Sequence, residues 1–156
     1  VQTCALPIYN KEKIINDYEK IISKLKNIHP KVSICLNRKF FSNEDVKEIL
    51  NILKEKSNGF DFIVQADGNS MNCGREDISS TLEAIAFGLF VKELGYEVTL
   101  SGGTNNHTAK LAKMVNLDCS IAYGGYIRKL TKDLSYNEAL KTAKQFVLNT
   151  KEILNS

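Results

Sequence analysis

Apolar residues along this chain alternate between two spacings, the three-to-four-residue step of a helix and the short β-branched run of a buried strand. Ile14, Ile15, Tyr18, Ile21, Ile22, Leu25 and Ile28 recur at helical spacing and predict an opening amphipathic helix of about five turns that stops before Pro30. A strand over Val32 to Leu36 follows. Ser42-Asn43-Glu44-Asp45 then starts a helix whose inner face carries Val46, Ile49, Leu50 and Leu53 and which Asn58-Gly59 ends. The second strand runs from Phe60 to Gln65 into Ala66-Asp67-Gly68, and a long polar loop leads to a helix at Ser79-Ser80. Ser80 and Glu83 have capping-box spacing there, and Gly95 is placed as the C-terminal glycine.

Between those ends, Ala84 to Val91 leaves almost no polar face, which predicts burial on two sides. The third strand is Glu97 to Leu100, and its helix uses Ala109, Leu111, Ala112 and Val115. A fourth strand over Cys119 to Ala122 comes next. The last helix starts at Ser135, with Glu138 completing a capping box, and buries Ala139, Leu140, Ala143, Phe146, Val147 and Ile153.

Four successive strand-helix units require parallel strands with right-handed crossovers, so the fold class is α/β and all four strand ends emerge on one rim. That rim gathers Asn37, Arg38 and Lys39, the loop from Asp67 to Gly74, and two glycine turns, Ser101-Gly102-Gly103-Thr104 and Gly124-Gly125. Each turn sits where a strand ends and a helix begins, where free backbone N–H groups suit an anion. In a (β/α)8 barrel the phosphate site commonly follows the last two strands, as these turns do, so the chain reads as the C-terminal half of such a barrel. An open flavodoxin-like sheet is the alternative.

A length of 156 residues, 43% of them hydrophobic, fits one buried core and not two domains. A net charge of +3, with lysines dispersed along helices, gives no footprint for nucleic acid. No apolar run approaches the roughly 20 residues of a membrane span, and a cytoplasmic location is expected. Cys4, Cys35, Cys73 and Cys119 are widely spaced, so a zinc knuckle or an iron–sulfur cluster held by this segment alone is not expected. Cys35 and Cys119 fall in apolar strand patterns and read as small buried hydrophobes. Residues 1–8, VQTCALPI, read as a translated sequencing adapter, with a flexible native terminus as the alternative. On the adapter reading, residues 9–156 are one α/β domain at the C-terminal end of a longer protein.

Asp67 is a candidate base or a holder of a ligand hydroxyl, although Asp-Gly is also a common turn. His107, in the first turn of a helix, is a weak proton-shuttle candidate against a solvent-facing or capping role. Ser101, Gly102, Gly103, Thr104 and Asn105, with Gly68, Gly124, Gly125, Arg128 and Lys129, form the expected anion-binding set. The glycines equally serve a sharp turn or close packing. Neither turn fits the GxGxxG or GxxxxGK pattern. Gln65 reads as a satisfied core polar group, His29 as inert, and Cys73 and Lys129 carry no surrounding signal for a redox thiol or a Schiff base.

Three motifs together resemble the C-terminal domain of the light-dependent period protein A family: Asp67-Gly68 with Met71, Gly102-Gly103-Thr104-Asn105 with Thr108, and Gly124 with Tyr126, Arg128 and Lys129. The likeness covers about residues 31 to 130 and departs from the family pattern at Ser70, Asn72-Cys73 and Gly125. It implies a ferredoxin-type protein whose iron–sulfur clusters lie in an N-terminal part ahead of this domain. An electron-transfer partner is implied with them, and none of the cluster ligands falls in this segment.

The function expected first is therefore a ligand-binding or sensory domain of an iron–sulfur redox protein, with a pocket for a phosphate-bearing molecule. The alternatives are a barrel enzyme acting on a phosphorylated small molecule, with Asp67 or His107 moving a proton, and a structural scaffold. A four-stranded parallel sheet on its own exposes its inner face, so self-association into a homo-oligomer or aggregate is also expected.

Overall fold

A computed structural model of the chain describes residues 10–25, 27–28, 32–37, 40–57, 62–67, 78–101, 105–119 and 124–156; at 37, 67, 78–80, 124–126 and 129 it describes the backbone only. Six helices and four strands follow one another among them: α1 (Lys11–Leu25), β1 (Val32–Asn37), α2 (Asn43–Lys56), β2 (Phe62–Asp67), α3 (Ile78–Glu93), β3 (Glu97–Leu100), α4 (Asn106–Met114), β4 (Asp118–Cys119), α5 (Gly124–Thr131) and α6 (Tyr136–Asn155). The strands form one sheet in the order β1-β2-β3-β4, and every neighbouring pair is parallel.

That order selects between the two architectures the sequence left open. A flavodoxin-like sheet reverses its direction of growth after the second strand, whereas here each crossover steps the same way, as in consecutive units of a barrel. Right-handed crossovers that always step the same way put their helices on one face. The burial pattern agrees. Val32, Ile34, Leu36, Phe62, Val64, Ala66, Val98, Leu100 and Cys119 alternate onto one buried face. On the other, Ser33, Cys35, Ile63 and Thr99 are half-buried, while Glu97 and Asp118 are exposed.

α3 lies closest to the sheet, and Gly88 explains how: a Cβ there would stand 3.1 Å from Leu117 and 3.2 Å from Leu100. α2 buries Val46, Ile49, Leu50 and Leu53 completely, as its spacing predicts. Each such side chain contributes about 1.5 to 3 kcal/mol by leaving water. α1 packs on α2 and reaches the outer edge of β1, where the Tyr18 hydroxyl accepts from the Cys35 N–H at 2.8 Å and donates to the Cys35 carbonyl at 3.2 Å. An edge residue with both backbone groups so occupied offers no ladder to another strand at that point.

α3 and α4 end the same way. Gly95, at φ 85°, donates to the Lys92 carbonyl while Tyr96 donates to Val91; Asn116, at φ 54°, donates to Lys113 while Leu117 donates to Ala112. Both are Schellman turns, and each delivers the chain directly into the next strand. Gly95 was legible in the sequence. Asn116 was not singled out, although Asn is the next most tolerant residue of the left-handed region.

Several elements differ from the sequence reading. β2 runs two residues past Gln65, which makes Asp67 its last residue. α3 begins at Ile78, so Ser80 lies inside the helix and not at its cap. α1 ends at Leu25, and Ile28, expected on its inner face, is 70% exposed. Cys35 is half-buried on the polar face, because it is out of phase with Ile34 and Leu36. The short α5 was not foreseen: it opens on two glycines, the poorest helix formers after proline, and is held mainly by packing on α6. On α6, Phe146 is buried as expected, but Leu140 is 43% exposed and Ala139, Ala143, Val147 and Ile153 are only half-buried. Asn58-Gly59 and residues 1–9 lie outside the described residues.

Two capping boxes hold helix starts as expected. The Asp45 carboxylate accepts from the Ser42 hydroxyl and N–H at 2.8 and 3.1 Å, and Glu138 accepts from the same groups of Ser135. These bonds, led by the serine hydroxyl in each case, hold both carboxyls below the usual carboxylate range. A lowered folded pKa means that the caps stabilise fully above about pH 4 and that this contribution is lost as pH falls through the lowered values. Urea unfolding across pH 2 to 6 should show it, with Asp45→Asn and Glu138→Gln each flattening the acid loss. In the same assay at neutral pH, Gly95→Ala should cost about 1 kcal/mol, since alanine resists positive φ, whereas Asn116→Gly should stabilise.

Candidate functional site

The rim at the carboxyl ends of the strands is where the sequence concentrated its candidate chemistry. Asn37 and Asp67 end β1 and β2 in direct register. Ser101 follows β3, its N–H bonding the Ala66 carbonyl at 3.1 Å, and its side chain is 4% exposed. β3 and β4 are parallel neighbours, with Leu100 opposite Cys119. The segments that lead from them to α4 and α5 therefore leave the sheet on the same side.

Asn105 is the N-cap of α4. Its backbone is extended, and its side-chain oxygen accepts from the Thr108 N–H at 2.9 Å and from the Thr108 hydroxyl at 3.3 Å. Asn105 and Thr108 are both buried, so this cap is part of the core and not a solvent ornament. α4 is fixed further by α6: the Thr150 hydroxyl donates to the Asn106 side chain at 2.6 Å, with Thr150 fully buried. The cap and this bond hold the start of α4 in a defined position. Partial positive charge gathers at such a start.

α5 begins at Gly124, so Gly124 and Gly125 form its first turn. They are thus the opening residues of a helix and not a separate bend. Arg128, one turn on, is exposed. His107 is exposed in the first turn of α4 and makes no hydrogen bond or ion pair among the described residues, so no acid–base pair is assembled on it. Gly68, Gly102, Gly103 and Thr104 lie outside the described residues, as do Arg38, Lys39 and Cys73 and the side chains of Asp67 and Lys129.

Gln65 is buried and its Nε2 donates to the Ser33 hydroxyl at 2.8 Å, the satisfied pairing its position in the strand suggested. Among the described residues, no group of three His, Cys, Asp or Glu side chains could hold a metal ion. Cys35 and Cys119 stand on the two edge strands with two strands between them, on opposite faces of the sheet. The described residues therefore do not fit an iron–sulfur cluster.

One buried group escaped the sequence reading. The Thr81 hydroxyl, fully buried near the start of α3, has no hydrogen-bond partner among the described residues. Its signal was position: Thr81, Ala84, Gly88 and Val91 share the helical spacing of the stripe that faces the sheet.

The consecutive, same-sense strand order and the helix starts along its rim define a singly wound α/β domain. More narrowly, the chain belongs to the family described as the light dependent period A C-terminal domain, which it matches over residues 1–156. No curated protein and no solved structure matches it. No described helix is long and apolar enough to cross a membrane.

An unpaired buried hydroxyl costs about 1 to 3 kcal/mol, so Thr81→Val should stabilise the domain by about 1 kcal/mol in urea unfolding. A loss of stability instead would mean that the hydroxyl is hydrogen-bonded in solution.

Proposed function

We propose that this domain is a cytoplasmic ligand-binding or sensory module whose carboxyl-end rim takes a phosphate-bearing or similar anionic molecule. It acts beside an N-terminal region that carries iron–sulfur clusters and exchanges electrons with a partner. Family membership supports the setting. One observation carries the ligand class: β3 and β4 are adjacent and parallel, so the starts of α4 and α5 belong to the same rim, each offering backbone N–H groups at the positive end of a helix. Ser101-Gly102-Gly103-Thr104 and Asn105 supply the first cradle, Gly124 and Gly125 the second, with Asp67, Gly68, Arg128 and Lys129 around them. Glycine suits both cradles because it lets a ligand oxygen approach the backbone.

Inorganic phosphate and ADP, compared with chloride at equal ionic strength, should each raise the melting midpoint by mass action on the folded state. Asn105→Asp keeps a side-chain acceptor at the cap of α4, since Asp caps as well as Asn, but adds a negative charge at the rim. Measured against its own midpoint in chloride, this variant should lose the phosphate-induced shift. No shift in the parent protein with either anion would refute the reading.

A further inference from the structure

α6 carries an apolar seam that no described residue covers. Tyr136, Leu140, Ala143 and Val147 fall within about 60° of helical arc, stepping 4-3-4, which is the spacing of a helix–helix seam, while Leu154 at the far end packs on the core. Phe146 and Thr150, on the flank next to Ala143, are buried in the contact with α4. Along the seam Tyr136 is 81% and Leu140 43% exposed, and Leu148 beside it is 53% exposed. The small Ala143 opens a shallow hollow of about 420 Å³, lined by Ala143, Lys144, Val147 and Leu148. Contiguous apolar surface of this kind on a helix marks a contact with another helix.

The charges beside the seam say what kind of helix. Its free flank carries Lys144 and Lys151, with Lys141 one step behind, and none of the three is in an ion pair among the described residues. The opposite flank, Ala139, Phe146 and Ile153, is turned toward the rest of the domain. A second copy of α6 laid antiparallel would bring lysine against lysine. A parallel copy would need the flank that α4 and α5 already use. A partner with acidic residues beside its apolar stripe satisfies both the seam and the lysines.

We infer that the Tyr136–Val147 seam of α6 is a docking surface for an acidic amphipathic helix, a contact independent of the strand-end rim. From Tyr136 to Lys151 the seam and its lysine flank span about 23 Å at 1.5 Å per residue, so a helix of about 16 residues covers both.

The test is fluorescence anisotropy of the whole chain with two helical peptides of about that length, identical in their leucine stripe, one flanked by glutamate and the other by lysine. The glutamate peptide should bind about tenfold more tightly, and the preference should shrink in high salt. Lys144→Glu with Lys151→Glu should reverse the preference, and Leu140→Ser should weaken both peptides. These positions are exposed, and circular dichroism verifies that each variant is folded. Equal binding of the two peptides, or none, overturns the proposal. So does dimerisation in sedimentation that Leu140→Ser abolishes, which would make the occupant a second copy. Tighter binding to phosphatidylglycerol vesicles than to the glutamate peptide, lost in the same variant, would make it a membrane and also overturns the proposal.

Discussion

Parallel pairing of consecutive strands is the constraint on which the rest of this domain depends. Parallel neighbours cannot be joined by a tight turn, so each connection is a crossover, and same-sense crossovers of one hand lay their helices on one face. The sheet then has an apolar face and a polar one. Ile34, Val64 and Leu100 occupy the first, and Ser33, Thr99 and Asp118 the second. The same constraint fixes direction: every strand ends on one rim, and helix starts collect there. Geometry of the backbone, more than any single side chain, creates the candidate site.

Close packing on the apolar face depends on small residues where backbones approach. Gly88 lets α3 settle against Leu100 and Leu117, and the two Schellman turns at Gly95 and Asn116 return the chain to the sheet with no residue to spare. At the first edge, α1 substitutes for a neighbouring strand by offering one phenol oxygen to both backbone groups of Cys35. An edge closed in this way is less open to strand addition at that residue than a bare ladder.

Elsewhere the domain leaves apolar surface in water. α3 is apolar nearly all round, and on its second face Leu89 and Phe90 are half-buried against the core while Leu82 is 51% exposed. α6 shows the same division between a face that packs on α4 and a stripe that does not.

Much of this was legible in the amino-acid sequence, because periodicity, caps and glycine turns act over a few residues. The inner face of α2, the Ser42 and Ser135 caps, the bounds of β3 and the role of Gly95 were all readable from spacing and residue type alone. So was the parallel pairing of the strands, since alternating strand-helix units imply it. What sequence left open were properties that depend on distant residues. Whether the strands run in consecutive order or reverse is decided by pairing between segments some 30 residues apart. Cys35 looked apolar, but its phase in the pleat sent it to the polar face. α5, glycine-rich and weak by propensity, forms where α6 receives it. The stripe on α6 reads as core in one dimension; only the position of α4 determines which half of it is covered. Local patterns chose the elements, and their assembly decided which apolar surfaces meet each other and which meet water.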